Sequence, residues 1–225
     1  VQIARLAGSS ILYTAVGDDE LGRRVAPELE QLGVTVHAAV RPEPQRRGFT
    51  YIDADGERTI TVIGERLGPR KSDDLPWDDL GEVDGVYFVS GDAASVRAAR
   101  EAPVLVATAR SLATLAEARV ELDALVRSRS DEGEAYRPGD LQPPPRVEVA
   151  TSGPSGGTYT LAGGTPAHFQ AAPAPGPLQD TYGAGDSFAA GLTYGLAESL
   201  PLDEAVGLAA RSGAAALSRR GAHGA

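Results

Sequence analysis

Segments of strand-like and helix-like pattern alternate along this chain, and that alternation constrains its fold more than any other feature. Residues 86–89 read as a strand, 94–101 as a helix, 104–107 as a strand, 112–119 as a helix and 122–126 as a strand. Such alternation predicts a mostly parallel sheet covered by helices on both faces. Upstream, the apolar run 11–16 ends in Gly17-Asp18-Asp19, a turn and N-cap for a helix over 21–32 that Gly33 closes. Pro27 inside that helix is expected to kink it or shift its start. A strand follows at 34–40. Residues 49–53 and 58–63 then flank Ala54-Asp55-Gly56, a hairpin signal, so a β-ribbon at about 41–66 interrupts the alternation.

Beyond a polar linker containing residues 71–79, the pattern resumes. Pro138 and Pro143-Pro144-Pro145 mark a surface loop before a strand at 147–151. Residues 158–161 and 165–169, joined through Gly163-Gly164, predict a second hairpin, and 171–179 form an Ala- and Pro-rich loop. Helices are expected at 185–198 and 203–217. No internal repeat is apparent, and 225 residues with 42% hydrophobic content suit a single domain with a full core.

Charge and cysteine content remove several function classes. The formal charge is −10, from 31 acids against 21 bases, and no Lys/Arg run is long enough to track a phosphate backbone, which argues against nucleic acid. With no cysteine there are no disulfides, thiolate metal sites or cysteine nucleophiles, as suits a reducing compartment. No apolar run approaches the roughly 20 residues of a membrane span, so a cytoplasmic location is expected. The chain has no methionine and starts at Val1 in mid-pattern, and residues are expected to be missing from it.

The most informative stretch is Asp180-Thr181-Tyr182-Gly183-Ala184-Gly185-Asp186-Ser187-Phe188, where a glycine loop enters a helix of apolar periodicity. A helix N-terminus gathers unpaired N–H donors and partial positive charge, so it can hold a phosphoryl group in transfer. A carboxylate at its lip can take a proton from an attacking hydroxyl. Taken alone, Gly183-Ala184-Gly185-Asp186 reads more readily as a tight turn with Asp186 capping the helix. Likewise, Thr151-Ser152-Gly153-Pro154-Ser155-Gly156-Gly157 is either a strand-to-hairpin turn or a phosphate loop, and Asp131-Glu132-Gly133-Glu134 either a solvated acidic loop or a metal site.

Together these strings resemble the PfkB/ribokinase family of carbohydrate kinases: its D-T-x-G-A-G-D-x-F signature at 180–188, its T-x-G-x-x-G nucleotide loop at 151–156, and, with Asp for Asn, its N-x-x-E motif at 131–134. The resemblance implies a ribokinase-like three-layer α/β sandwich with a small β lid at the 41–66 ribbon. It implies a kinase that moves the γ-phosphoryl group of ATP to a hydroxyl of a sugar or nucleoside. Asp186 would be the catalytic base, with Gly183, Ala184 and Gly185 as the anion hole. Thr151, Ser152, Gly153, Gly156 and Thr181 would touch the nucleotide, and Asp131 and Glu134 would organise magnesium. A monovalent cation and a homodimer through the lid also fit the resemblance, and Arg46, Arg47 and Arg58 on the ribbon would face substrate. Val1 to Gly8 look like the tail of the helix after the family's G-G-x-x-x-N substrate motif, which this chain lacks along with its strand.

Rival readings are weaker. A P-loop needs Gly-Lys-Ser/Thr, whereas the single lysine, Lys71, follows Arg70. A dinucleotide G-x-G-x-x-G/A would meet Phe188 at its last position and should open an early strand–helix unit. Gly153-Pro154-Ser155-Gly156-Gly157 matches a serine hydrolase's G-x-S-x-G, with Asp180 or Asp203 and then His223 in order, but strand-forming Thr158-Tyr159-Thr160-Leu161 follows where a helix is required. A non-catalytic sugar or nucleotide sensor of the same fold is the remaining alternative.

Overall fold

The computed structural model describes residues 1–52 and 58–221. Helix α1 (Gln2–Ala7) leads into β1 (Ser10–Gly17), α2 (Glu20–Glu30) and β2 (Val34–Arg41), and β1 and β2 pair in parallel from Ser10↔Val34 to Gly17↔Arg41. Asp19 is the N-cap of α2: one carboxylate oxygen accepts from the Gly22 N–H at 2.8 Å and the other from the Gln45 N–H at 3.0 Å. The helix starts at Glu20 and runs on through Pro27. Pro27 and Arg23 both lie on the outer side, where water can take up the Arg23 carbonyl that the missing N–H leaves unpaired.

The ribbon is β3 (Arg47–Ile52) antiparallel to β4 (Arg58–Ile63), and it exposes Phe49 and Tyr51 on one face. Its predicted turn, Ala54-Asp55-Gly56, lies outside the described residues, as do the side chain of Arg58 and all of His223.

The alternation predicted by the sequence then appears as β5 (Gly85–Phe88), α3 (Ala93–Ala99), β6 (Val104–Thr108), α4 (Leu112–Ala118) and β7 (Ala124–Ser128). Strands β8 (Val147–Thr151), β9 (Gly157–Leu161) and β10 (Ala167–Phe169) follow, then α5 (Ala184–Ala197) and α6 (Leu202–Leu217). Among the described residues, six strands form the main sheet in the order β10-β9-β8-β7-β6-β5, with β5 to β8 parallel and β9 and β10 antiparallel.

The period-2 geometry of these strands makes the layers. Phe88, Leu105, Ala107 and Leu125 face a core shared with α3 and α4. Their neighbours Val106, Ala124, Val126 and Val149 point the other way, into a core closed by Phe188, Leu192, Val206 and Ala209 of α5 and α6. Leu122, the predicted start of β7, is buried just ahead of the strand, where its carbonyl still accepts from the Arg146 N–H at 2.9 Å. The strand instead extends through Arg127, which donates to Glu148 on β8 at 2.7 Å. β10 begins after Pro166, which has no N–H to offer a ladder.

The ribbon is tied to the sheet domain at its base. Arg41 at the end of β2 forms a bidentate ion pair with Asp73, at 2.8 and 2.7 Å, and both side chains are largely buried. Arg41 also donates to the Gly68 carbonyl, while Asp73 accepts from the Arg70 N–H. The Trp77 indole donates to the Asp73 carbonyl and the Tyr13 hydroxyl to that of Pro76, so the linker is stitched to both sides. The hydrogen bond from Arg41, aided by the Arg70 N–H, holds the Asp73 carboxyl below the usual carboxylate range, although burial opposes it.

A carboxyl whose pKa falls on folding adds stability above its unfolded value, about 4, and that contribution is lost as pH drops through the folded value. Asp73→Asn is therefore expected to destabilise the protein by about 3 kcal/mol at pH 7, since it leaves Arg41 unpaired. The gap between the variant and the parent should shrink below pH 4. Denaturant titrations at pH 7 and at about pH 2 check this, and a pH-independent gap would show the pair contributes nothing through charge.

Candidate active site

Because β5 to β8 are parallel, the segments leaving their carboxyl ends all emerge at one edge of the sheet, where open α/β sheets carry their ligands. These segments are residues 89–92, 109–111, 129–134 and 152–156.

Thr151 ends β8, and its hydroxyl donates to the Arg127 carbonyl at 3.3 Å. A short 3-10 turn, Gly153–Ser155, follows. The Ser152 N–H closes it onto the Gly156 carbonyl at 2.7 Å. Gly156 has φ +75, and a Cβ there would overlap the Phe169 carbonyl oxygen, so this position accepts glycine alone. Ser155 is exposed on a turn that runs into antiparallel β9, not into a helix, so a nucleophile elbow is not formed. Asp203, one candidate partner for it, sits in the first turn of α6.

The loop before α5 is fastened to the end of α6 by the Gln179 and Asp180 N–H groups, both donating to the Leu217 carbonyl. Asp180 accepts from the Tyr182 and Gly221 N–H groups. Thr181 is exposed, and its carbonyl receives the Ala184 N–H at 3.4 Å. Gly183, in the left-handed region at φ +79, is the N-cap that turns the chain into α5. Gly185 and Asp186 are exposed in the first turn, where N–H groups lack intrahelical acceptors. A Cβ built on Gly185 would meet nothing within 4 Å, so protein packing does not demand glycine here. The space in front of that backbone is open to a ligand.

Asp131 and Glu134 come together, and a cation already joins them. The guanidinium of Arg110, just after β6, reaches Asp131 at 2.7 Å and Glu134 at 2.8 Å. The other oxygen of Asp131 accepts from the Gly133 N–H at 2.9 Å, and that of Glu134 from the Ser128 N–H at 2.6 Å. Burial works against the Arg110 charge, but Glu134, Asp131 and Asp186 outweigh it and hold the guanidinium above its ordinary range. No group of His or acidic residues large enough to cage a metal occurs among the described residues. Each oxygen of the acidic pair already accepts one hydrogen bond, and carboxylate oxygens are the hard donors that magnesium takes, so the pair fits that ion by chemistry.

Two residues at this edge escaped the sequence reading. One is Arg110, whose signal was its place immediately beyond a parallel strand. The other is Tyr87 of β5, whose hydroxyl donates to Asp186 at 3.0 Å. A cleft of about 220 Å³, lined by Arg41, Glu43, Arg66, Gly68, Ser90 and Asp92 among others, opens beside this edge at the base of the ribbon.

Removing Arg110 should leave Glu134, which is 8% exposed, with only its backbone donor. Arg110→Ala is expected to cost roughly 1 to 2 kcal/mol of stability, and Glu134→Gln less, because an amide oxygen can keep the Ser128 bond. Chemical denaturation of both variants checks the order.

A family model described as pfkB family carbohydrate kinase matches residues 1–138 and 141–225 of this chain. A fructokinase of Vibrio alginolyticus is 34% identical over 94 residues, a match that covers 41% of this chain and 28% of that protein. Among solved structures, ribokinase from Thermotoga maritima superposes with a TM-score of 0.77 at 19% identity, over 99% of this chain and 80% of that one. Ribokinase of Arabidopsis thaliana complexed with ribose and ATP gives 0.73 at 17% identity, over 98% and 80%.

Proposed function

The chain belongs to the pfkB family of carbohydrate kinases, and from that membership we propose that it transfers the γ-phosphoryl group of ATP to a hydroxyl of a sugar or sugar-like small molecule. The observation that carries the reading is an exposed carboxylate, Asp186, in the first turn of α5 beside the open backbone of Gly185. The ribokinase complexed with ribose and ATP supports the choice of nucleotide and of acceptor class.

In this reading the nucleotide lies along Thr151, Ser152, Gly153 and Gly156, with Thr181 at the mouth of the second loop. The acceptor enters from the cleft at the base of the ribbon, whose mixed charged lining suits a polyhydroxylated molecule. Asp186 takes the proton of the attacking hydroxyl as the new O–P bond forms and the bond to the β,γ-bridging oxygen breaks. The N–H groups of the Gly183-Ala184-Gly185 turn receive the negative charge spread over the transferring group, helped by the positive end of α5. Asp131 and Glu134 would hold magnesium, which would neutralise phosphate charge there. Arg110 keeps that acidic pair from repelling the nucleotide before it binds.

Asp186→Asn should lower turnover by about 10² or more and leave ATP binding little changed. Gly185→Ala should lower turnover too, while stability holds or rises by about 0.5 to 1 kcal/mol from helix propensity. ATP consumption with a panel of sugars and nucleosides, alongside thermal melts, checks both. Near-normal turnover of Asp186→Asn would sink the assignment, and ATP binding with no turnover by the parent protein would favour a sensor.

A further inference from the structure

Tyr87 carries chemistry that the kinase reading leaves unassigned. It pairs with Val106 in the ladder between β5 and β6. Strand alternation sends its neighbours Val86 and Phe88 into the core under α3 and α4, while Tyr87 packs against the opposite core beneath α5, with Val106 and Leu192. The ring is partly buried in that apolar wall, and its hydroxyl donates to Oδ1 of the exposed Asp186. Among the described residues, this is the one hydrogen bond made by the Asp186 side chain.

A phenylalanine would fill the same wall, so the core does not call for the hydroxyl. What the hydroxyl adds is directional. An exposed aspartate on the first turn of a helix otherwise samples several rotamers, and a general base must be held within hydrogen-bond reach of the proton it abstracts.

We infer that Tyr87 is a positioning residue for the base: its phenol occupies Oδ1 of Asp186 and leaves Oδ2 turned to the acceptor hydroxyl. The inference rests on the kinase reading of Asp186. In the chemical step the acceptor's proton passes to Oδ2, the acceptor oxygen bonds to the γ-phosphorus, and the departing electron pair leaves with ADP. Tyr87 keeps its own proton throughout. Burial first, then the charge and hydrogen bond of Asp186 and the charge of Glu134, hold the phenol well above its ordinary range, with Arg110 opposing them in part. It therefore stays a donor at any pH where the enzyme would work.

The test is Tyr87→Phe beside Asp186→Asn. With the best acceptor found, Tyr87→Phe should lose roughly tenfold in kcat, in the range expected when a catalytic group is misplaced. Its KM for ATP should stay within about twofold and its melting temperature within a few degrees, a split that loss of packing would not produce. A second readout needs no turnover. With ring-labelled tyrosine followed by NMR, ionisation of Tyr87 should move to lower pH in Asp186→Asn, because the neighbouring negative charge is gone. The two readings fail in different ways. If Asp186→Asn is inactive while Tyr87→Phe turns over at the parental rate, the positioning role is overturned and the kinase reading stands. If Asp186→Asn turns over normally, both fall. An unmoved Tyr87 titration would show that the contact does not exist in solution and would overturn the inference alone.

Discussion

Four parallel strands buried on both faces are the constraint on which the rest of this molecule depends. Leu105 and Leu125 must face the core under α3 and α4 while Val106, Ala124 and Val149 face α5 and α6. A slip of one residue in any of these ladders would exchange the two sets, so register is strongly specified. Register in turn fixes where each strand ends, and hence where Ser90, Arg110, Glu134 and Thr151 stand along one edge. The position of Tyr87 is a direct product of the same alternation, since only the middle member of Val86-Tyr87-Phe88 faces α5.

The edge so assembled is electrostatically uneven. Asp131, Glu134 and Asp186 bring negative charge to a place where, on the proposed reading, a polyphosphate must sit. Arg110 offsets two of these charges directly and acts on the third at longer range. The first turn of α5 contributes partial positive charge without a side chain that could be lost to solvent. The two devices act on different charges. Arg110 quiets the acidic pair, and the helix terminus faces the group in transfer. A lysine at position 110 would serve less well, because the two carboxylates are gripped by different nitrogens of one planar fork.

Much of this was legible in the sequence, for identifiable reasons. The strand–helix alternation, the helix opening at Gly183-Ala184-Gly185 and the strand-to-hairpin turn after Thr151 are local patterns, and local patterns survive into the fold. Glu134 was found through its motif, but its true neighbour was not, because Arg110 lies 24 residues upstream and only the parallel ladder brings it close. Tyr87 lies 99 residues from Asp186, and nothing in Val86-Tyr87-Phe88 distinguishes a phenol with a partner from a plain core aromatic. The end of β7 moved where a polar residue enters the strand, at Arg127, whose charge is answered by Glu148 across the ladder.

Long-range contacts of this kind also explain why the ribbon can be both exposed and well placed. Its strands pair with each other, and among the described residues Phe49, Tyr51, Val62 and Ile63 are exposed. What fixes its base is the buried Arg41–Asp73 pair together with the Trp77 and Tyr13 hydrogen bonds to the linker backbone. An ion pair is directional where a hydrophobic contact is not, and a bidentate one permits little rotation about its axis. The root so held carries Arg41, which forms one wall of the cleft beside Ser90 and Asp92.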